Sequence, residues 1–400
     1  RLSPGELRQL ALELAATPPA DYHGARAAGA RTAGARAAIV ASDPAQLAER
    51  ARTAAAMLRS AEPEMLRAWP QSPPLTRPER TTRPQTAGPG VYLAEGARGR
   101  VALVFSGLAS TPLEHTTMLS ASMATLSALD RLGVQPRLAV GHSFGEITGL
   151  AWAGCITFGE AARLAAHRAE ILRAAPRRTA MARVLAGPRV VAHLCGGTDL
   201  ALAVSEGPRQ QVLAGSVRDI RALLRRAAAL GVSADALEAA CALHSPVMQP
   251  CVAPLRAVTA GMRITAPRRR LISTITGFDV TVSEDIPGLL AGQVTRPALL
   301  AGALALASAD ADLILLASPE PAVASAAAGG GRLPVVQAPL ERRSAPVPAA
   351  LAALFAAGAL SSLRPFLGRE TAHAGREPAN RSGYPEDPSS SQAGAPSARA

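Results

Sequence analysis

The chain has 400 residues, with 42 basic against 30 acidic side chains for a net charge of +12, 48% hydrophobic residues and 3% aromatics. Every basic residue is an arginine, and these are spread along helical segments with glutamates between them. A nucleic-acid reader would gather them in a stripe interleaved with stacking aromatics, so that class is excluded. The 4 scattered cysteines have no CxxC and no metal-ligand spacing, so no metal site is expected and reduced thiols in the cytoplasm are. There is no initial hydrophobic signal and no uncharged apolar run of spanning length, which argues against a membrane protein.

In chain order, residues 1–60 predict a small α/β unit. It comprises a helix near 4–15, a short strand at Ala37 to Ala41, and a helix opening at Asp43-Pro44, with Gln46 placed for a capping box. Residues 61–98 carry prolines at 63, 70, 73, 74, 78, 84 and 89 and predict a connector with no core of its own. The main unit runs from about 99 to 340, with a small subdomain inserted at about 180–243. A helical extension at 341–368 and a polar, disordered tail at 369–400 follow.

Residues 138–146 read Leu-Ala-Val-Gly-His-Ser-Phe-Gly-Glu, an apolar strand running into a serine between two glycines. Such a tight strand-to-helix turn strains the backbone of Ser143, and Gly141 and Gly145 remove side chains that would clash. Ile147, Leu150, Ala151 and Trp152 continue an apolar pattern, so a helix is predicted from about Phe144, its first amides directed at any oxyanion formed at Ser143. The alternative is a turn that merely contains Gly-x-Ser-x-Gly.

The next helix carries one stripe at 161, 164, 165, 168, 171 and 172, which reads Ala, Leu, Ala, Arg, Ile, Leu. Arg168 is thereby predicted to face the core, where its planar fork suits a carboxylate. An arginine snorkelling from a helix edge or paired internally is the bland reading. In the insert, Ala201 to Val204 and Gln211 to Leu213 flank Ser205-Glu206-Gly207-Pro208 as a hairpin. The helix after it has Ile220, Leu223, Leu224 and Leu230 on one side and Arg218, Arg221, Arg225 and Arg226 mostly toward water. A solvated face is the simple reading of those arginines, and an acidic carrier protein the functional one.

Of 7 histidines, His244 alone stands at the end of an apolar segment and before a structure-breaking proline, a suitable place for a base acting on Ser143. No carboxylate in an obvious orienting role follows it, so a Ser–His pair oriented by a carbonyl is expected in place of a triad.

Taken in order, Gly141-His142-Ser143-Phe144-Gly145-Glu146, then Arg168, then Ala242-Leu243-His244-Ser245-Pro246 resemble the malonyl-CoA acyltransferase family. The resemblance is greatest to the acyltransferase domain of a type I polyketide synthase, with the linker that joins it to a ketosynthase. It implies an α/β fold: a hydrolase-like parallel-sheet large subdomain, an inserted ferredoxin-like small subdomain and a preceding α/β linker domain. It also implies a ping-pong reaction. Ser143 attacks the coenzyme A thioester, His244 moves the proton, Arg168 holds the malonyl carboxylate, and the phosphopantetheine thiol of an acyl carrier protein collects the acyl group. No tightly bound cofactor is needed. Ketosynthase and other synthase domains are the further partners implied, with no nucleic acid and no membrane. The chain, which begins at Arg1 within the linker-like segment, is expected to be a piece of a longer synthase.

Val101 to Ser110 resembles the family's first strand and oxyanion loop, with Leu108 in place of glutamine and Ala109 in place of the second glycine. The backbone amides of Leu108 and Phe144 are then the oxyanion donors. Thr117 to Arg131 resembles the helix before the serine strand, and Leu271 to Gly277 the strand before the final helices. Gln293 matches the residue whose carbonyl orients the histidine. Members taking malonate tend to read His-Ala-Phe-His where this chain reads Cys241-Ala242-Leu243-His244, and members taking methylmalonate Tyr-Ala-Ser-His. Bulky Leu243 and Phe144 therefore favour malonate. A few dozen residues that the family has between Gly107 and Ser143 are missing, mainly after Ser110, which keeps a truncated, non-catalytic scaffold among the alternatives. An α/β-hydrolase-type thioesterase is the other, although it would need an acidic triad member.

Overall fold

The computed structural model describes residues 26–31, 35–41, 44–60, 85–86, 91–95, 99–107, 112–239, 241–317, 323, 335–337 and 346–360. All lie within the unit Arg1–Leu363. The helix expected near 4–15, Leu108 to Ser110, most of the connector and the tail lie outside the described residues.

The first layer is a four-stranded antiparallel sheet of β1 (Arg26–Arg31), β2 (Ala35–Ala41), β3 (Gln85–Thr86) and β4 (Val91–Glu95), in the order β1-β2-β4-β3. Helix α1 (Pro44–Ser60) buries Leu47, Ala51, Ala54 and Ala55. The expected strand and helix are both present. The expectation that 61–98 is a connector needs correction, because its last part supplies β3 and β4. Val91 to Glu95 follows the last proline and has the β-branched and aromatic character that fits a pleated surface, and β2 pairs its backbone.

The second sheet is parallel throughout. Strands β5 (Val101–Phe105) and β6 (Leu138–Gly141) are bridged by helix α2 (Pro112–Arg131). Every residue of β5 and β6 is buried, as in parallel sheets covered on both faces, where strands become continuous apolar runs. After β6 come helix α3 (Gly145–Ala153) and helix α4 (Phe158–Arg173). A capping box, Thr157 with Glu160, starts α4.

The insert contains β7 (Thr179–Val184), α5 (Pro188–Leu194), β8 (Ala201–Gly207), β9 (Gln210–Ser216), α6 (Val217–Ala229) and β10 (Ala234–Leu237). Its sheet is antiparallel, ordered β10-β7-β9-β8. The hairpin turn is later and tighter than expected, at Pro208-Arg209, because Ser205, Glu206 and Gly207 all belong to β8. Helix α6 buries Ile220, Leu223 and Ala227 while Arg218, Arg221, Arg225 and Arg226 are exposed. Leu230, expected on the apolar side, is instead 55% exposed, since the helix ends at Ala229 and the chain turns away.

The chain returns through α7 (Val252–Ala260), β11 (Leu271–Ser273), α8 (Ile286–Gly292), α9 (Leu300–Asp310), β12 (Leu313–Leu316), β13 (Val335–Gln337) and α10 (Pro346–Ala356). The parallel sheet has the order β11-β6-β5-β12-β13. One face packs on α2, α3 and α4, and the other on α9 and the inner face of the inserted sheet, through Met181, Ala203, Val212 and Ala214. Gly107, Ser143 and Thr274 thus follow the carboxyl ends of three neighbouring strands, the edge at which open α/β sheets place ligands. Among the described residues no helix is long and apolar enough to cross a membrane.

Candidate active site

The turn after β6 is held by close backbone approach. A Cβ on Gly145 would overlap the Phe105 carbonyl, and one on Gly107 would overlap the Phe144 and Gly145 amides. His142 N–H donates to Phe105 O (2.9 Å) and Gly145 N–H to His142 O (2.8 Å). These constraints force Ser143 to a φ of 53°, in the left-handed region that side chains avoid. Helix α3 then starts directly with Phe144 as its N-cap residue, as expected.

His244 also has a positive φ, 60°, in the turn before the short 3-10 segment Pro246–Cys251. Its Nε2 lies 2.9 Å from Ser143 Oγ, across 101 residues of sequence. Its Nδ1 lies 3.0 Å from the backbone carbonyl of Arg296. A carbonyl only accepts, so Nδ1 carries the proton and Nε2 is left to accept from the serine hydroxyl. Burial, joined by the neighbouring His142, pushes the His244 pKa down to about 3, with the Arg296 and Gln293 backbones acting in the opposite direction. The imidazole is therefore neutral at physiological pH, as a base must be at rest.

The expected orienting residue, Gln293, does something different with its side chain. Its Oε1 accepts from Arg168 Nη2 (3.0 Å) and its Nε2 donates to Ser143 O (2.6 Å). The amide orientation follows from its partners, since a guanidinium has no acceptor and a carbonyl no donor. His244 Nδ1–H donates to the Arg296 carbonyl, with the Gln293 backbone a lesser influence on the ring. Sequence reasoning missed Arg296 because the contribution is a main-chain carbonyl, which carries no residue-type signal.

Arg168 is buried, 2% exposed, on the stripe of α4 that the sequence indicates. Its guanidinium lies 5.8 Å from the Phe144 ring centroid, and burial lowers its pKa to about 10. Through Gln293 it is two hydrogen bonds from the serine backbone, so the hydroxyl, imidazole and guanidinium converge. Cys241 lies close enough to feel the Arg168 charge, although burial dominates and pushes its thiol up to about 11. Leu243 is half-buried beside Leu172, Cys241, Met248, Cys251 and Val294, an apolar wall next to Arg168. Leu108 lies outside the described residues. Among those described, no group of three or more His, Cys, Asp or Glu is arranged to hold a metal ion.

A polar site closed inside apolar packing is suited to covalent chemistry at Ser143 with proton transfer through His244, beside one buried cation. Comparison with known proteins agrees with that geometry. Polyketide synthase GfsA of Streptomyces halstedii is 29% identical over 198 residues, covering 48% of this chain and 3% of that protein. The chain thus spans only a few per cent of the length of such a relative. The crystal structure of the acyltransferase domain of the iterative polyketide synthase in enediyne biosynthesis is 30% identical, covers 92% of each chain and superposes with a TM-score of 0.72. The malonyl CoA-acyl carrier protein transacylase of Coxiella burnetii shares the fold at 19% identity, with a TM-score of 0.57 over 60% of this chain and 94% of that one. The acyl transferase domain family matches residues 32–286, well over half of the chain, and this protein belongs to that family.

Proposed function

We propose that this chain moves a malonyl group from coenzyme A to the phosphopantetheine thiol of an acyl carrier protein, by way of an ester on Ser143, as one domain of a polyketide synthase. The observation that carries the reading is the 2.9 Å contact of Ser143 Oγ with a His244 whose other nitrogen is tied to a carbonyl, joined through Gln293 to the buried Arg168.

In the first half-reaction Ser143 Oγ attacks the thioester carbonyl while its proton passes to His244 Nε2. The oxyanion meets the Phe144 amide, with the Leu108 amide the second donor that the family resemblance implies, and collapse expels the coenzyme A thiolate, which takes the proton from His244. In the second, the carrier thiol gives its proton to His244 and attacks the ester, and Ser143 leaves and is reprotonated. Arg168 holds the distal carboxylate, for which its planar fork is suited, and its Gln293 partner is a neutral amide. Leu243 and Phe144 fill the space that a branching methyl would need. No resident cofactor is required.

The β-α-β-β-α-β order of the insert supports reading it as a ferredoxin-like lid, and the 26–95 sheet supports the ketosynthase linker. With four thiols and no disulfide among the described residues, we place the synthase in the cytoplasm. A carbonyl rather than a carboxylate at Nδ1 favours transfer over the hydrolase reading, and the assembled Ser–His contact favours catalysis over a scaffold. Intact-mass measurement after mixing with malonyl-CoA tests the proposal. A stable adduct on Ser143 that a carrier protein removes is expected. Rapid release of free malonate would indicate a hydrolase, and no adduct a scaffold.

A further inference from the structure

Helix α3 is buried at all nine of its positions, and one of them is an acid. Glu146 Oε1 accepts from Ser273 Oγ (2.8 Å), Thr274 N–H (2.8 Å) and Thr274 Oγ1 (3.2 Å). Its Oε2 is buried with no hydrogen bond among the described residues, and it packs against Gly141, where a Cβ would come within 2.9 Å of that oxygen. The segment Glu146 grips is itself tied to the histidine-orienting loop. Leu299 N–H donates to Thr274 O (2.6 Å) and Arg296 Nη2 to Ile275 O (3.4 Å), while Arg296 O holds His244 Nδ1.

We propose that Glu146 is a positioning residue for the Ser143–His244 pair, its Oε1 fastening the first turn of the nucleophile helix to Ser273-Thr274 and so to the 296–299 loop that sets the imidazole. This rests on the acyl-transfer reading only in taking Ser143 and His244 as the reacting pair. The role suits the uncharged acid. Burial raises the Glu146 pKa to about 8, against the pull of its three donors. Were it ionised, the anion would sit in the first turn of α3 and oppose an oxyanion forming at the Phe144 amide. Other titrating groups near the elbow lie well away from 8: His142 and His244 at about 4 and about 3, Arg168 and Cys241 at about 10 and about 11. The 273–275 segment contributes only hydroxyl and amide groups.

The test is the second-order rate of Ser143 phosphonylation by a fluorophosphonate on the full chain. The rate is read by intact mass with Ser143→Ala as blank, and it reports the pair without acyl-CoA. Glu146→Ala is expected to slow labelling roughly 100-fold at a temperature where circular dichroism shows it folded, and Glu146→Gln, which keeps the acceptor, by no more than about threefold. Between about pH 6 and 9 the wild-type rate should fall on passing pH 8 and that of Glu146→Gln should not. The proposal is overturned by Glu146→Ala labelling at the wild-type rate, by Glu146→Gln as slow as Glu146→Ala, by one pH profile shared by wild type and Glu146→Gln, or by a wild type that takes no label. If Glu146→Ala does not fold, the pH comparison decides. A chain that labels but forms no malonyl adduct defeats the acyl-transfer reading while leaving this inference intact.

Discussion

Two arginines meet acceptors of different charge in two regions of the molecule. In the inserted subdomain Arg183 closes its fork on Glu206, with Nε–Oε2 at 2.7 Å and Nη2–Oε1 at 2.9 Å, and Gln210 adds a third bond to that carboxylate. In the large subdomain Arg168 meets the neutral amide of Gln293 and lies over Phe144. The first arrangement cancels charge on the protein's own carboxylate and, across β9, ties β7 to β8. The second keeps a positive charge beside the nucleophile, at the cost of desolvation that lowers the Arg168 pKa. The two differ in burial, Arg183 being only partly buried and Arg168 2% exposed, and in whether the acceptor is a carboxylate or a neutral amide.

Substitutions sharpen that contrast, and removing the nucleophile gives the largest effect. Ser143→Ala should abolish the acyl adduct by intact mass and cut transfer by at least roughly 10³-fold. Arg168→Ala comes next, lowering kcat/KM for malonyl-CoA by about 100-fold while raising relative activity on unsubstituted acyl-CoA. Unchanged selectivity in that competition assay would place Arg168 with the structural arginines. Arg183→Ala is expected to do the reverse. Stranding Glu206 should cost about 3 kcal/mol in urea unfolding and leave the malonyl-to-acetyl ratio where it was. The smallest change is Leu243→Ala, which should improve methylmalonyl-CoA against malonyl-CoA by about tenfold, since one methyl is worth roughly 1–3 kcal/mol in a shaped pocket. A ratio that stays put would move the selectivity away from the apolar wall.

Much of the site is legible in the amino-acid sequence. The serine turn is a local matter, written in Gly141 and Gly145, and the burial of Arg168 follows from helical periodicity in α4. Strand β2 and helix α1 were likewise readable from apolar runs and a proline at the helix start. Leu230 was misplaced because the apolar stripe continued past the point where the backbone left the helix. Strand β4 is hidden at the end of a proline-rich stretch because its partner β2 lies 50 or more residues earlier in sequence, and β3 pairs only with β4. Glu146 left a signal that could have been used: an acid inside Gly-Glu-Ile-Thr-Gly-Leu-Ala-Trp-Ala, a helix with no polar face to hold it.

The amino-acid sequence by itself determined where the serine turn forms and which faces would be buried, because turn sterics and the 3.6-residue period act over a few residues. Only the tertiary structure decided what the side chains there bond to. The Arg296 carbonyl at His244, the Gln293 amide between Arg168 and Ser143, and the Ser273-Thr274 grip on Glu146 are directional contacts across 52, 125 and 127 residues or more. They arise where the ends of parallel strands come together, a packing outcome that no local pattern encodes.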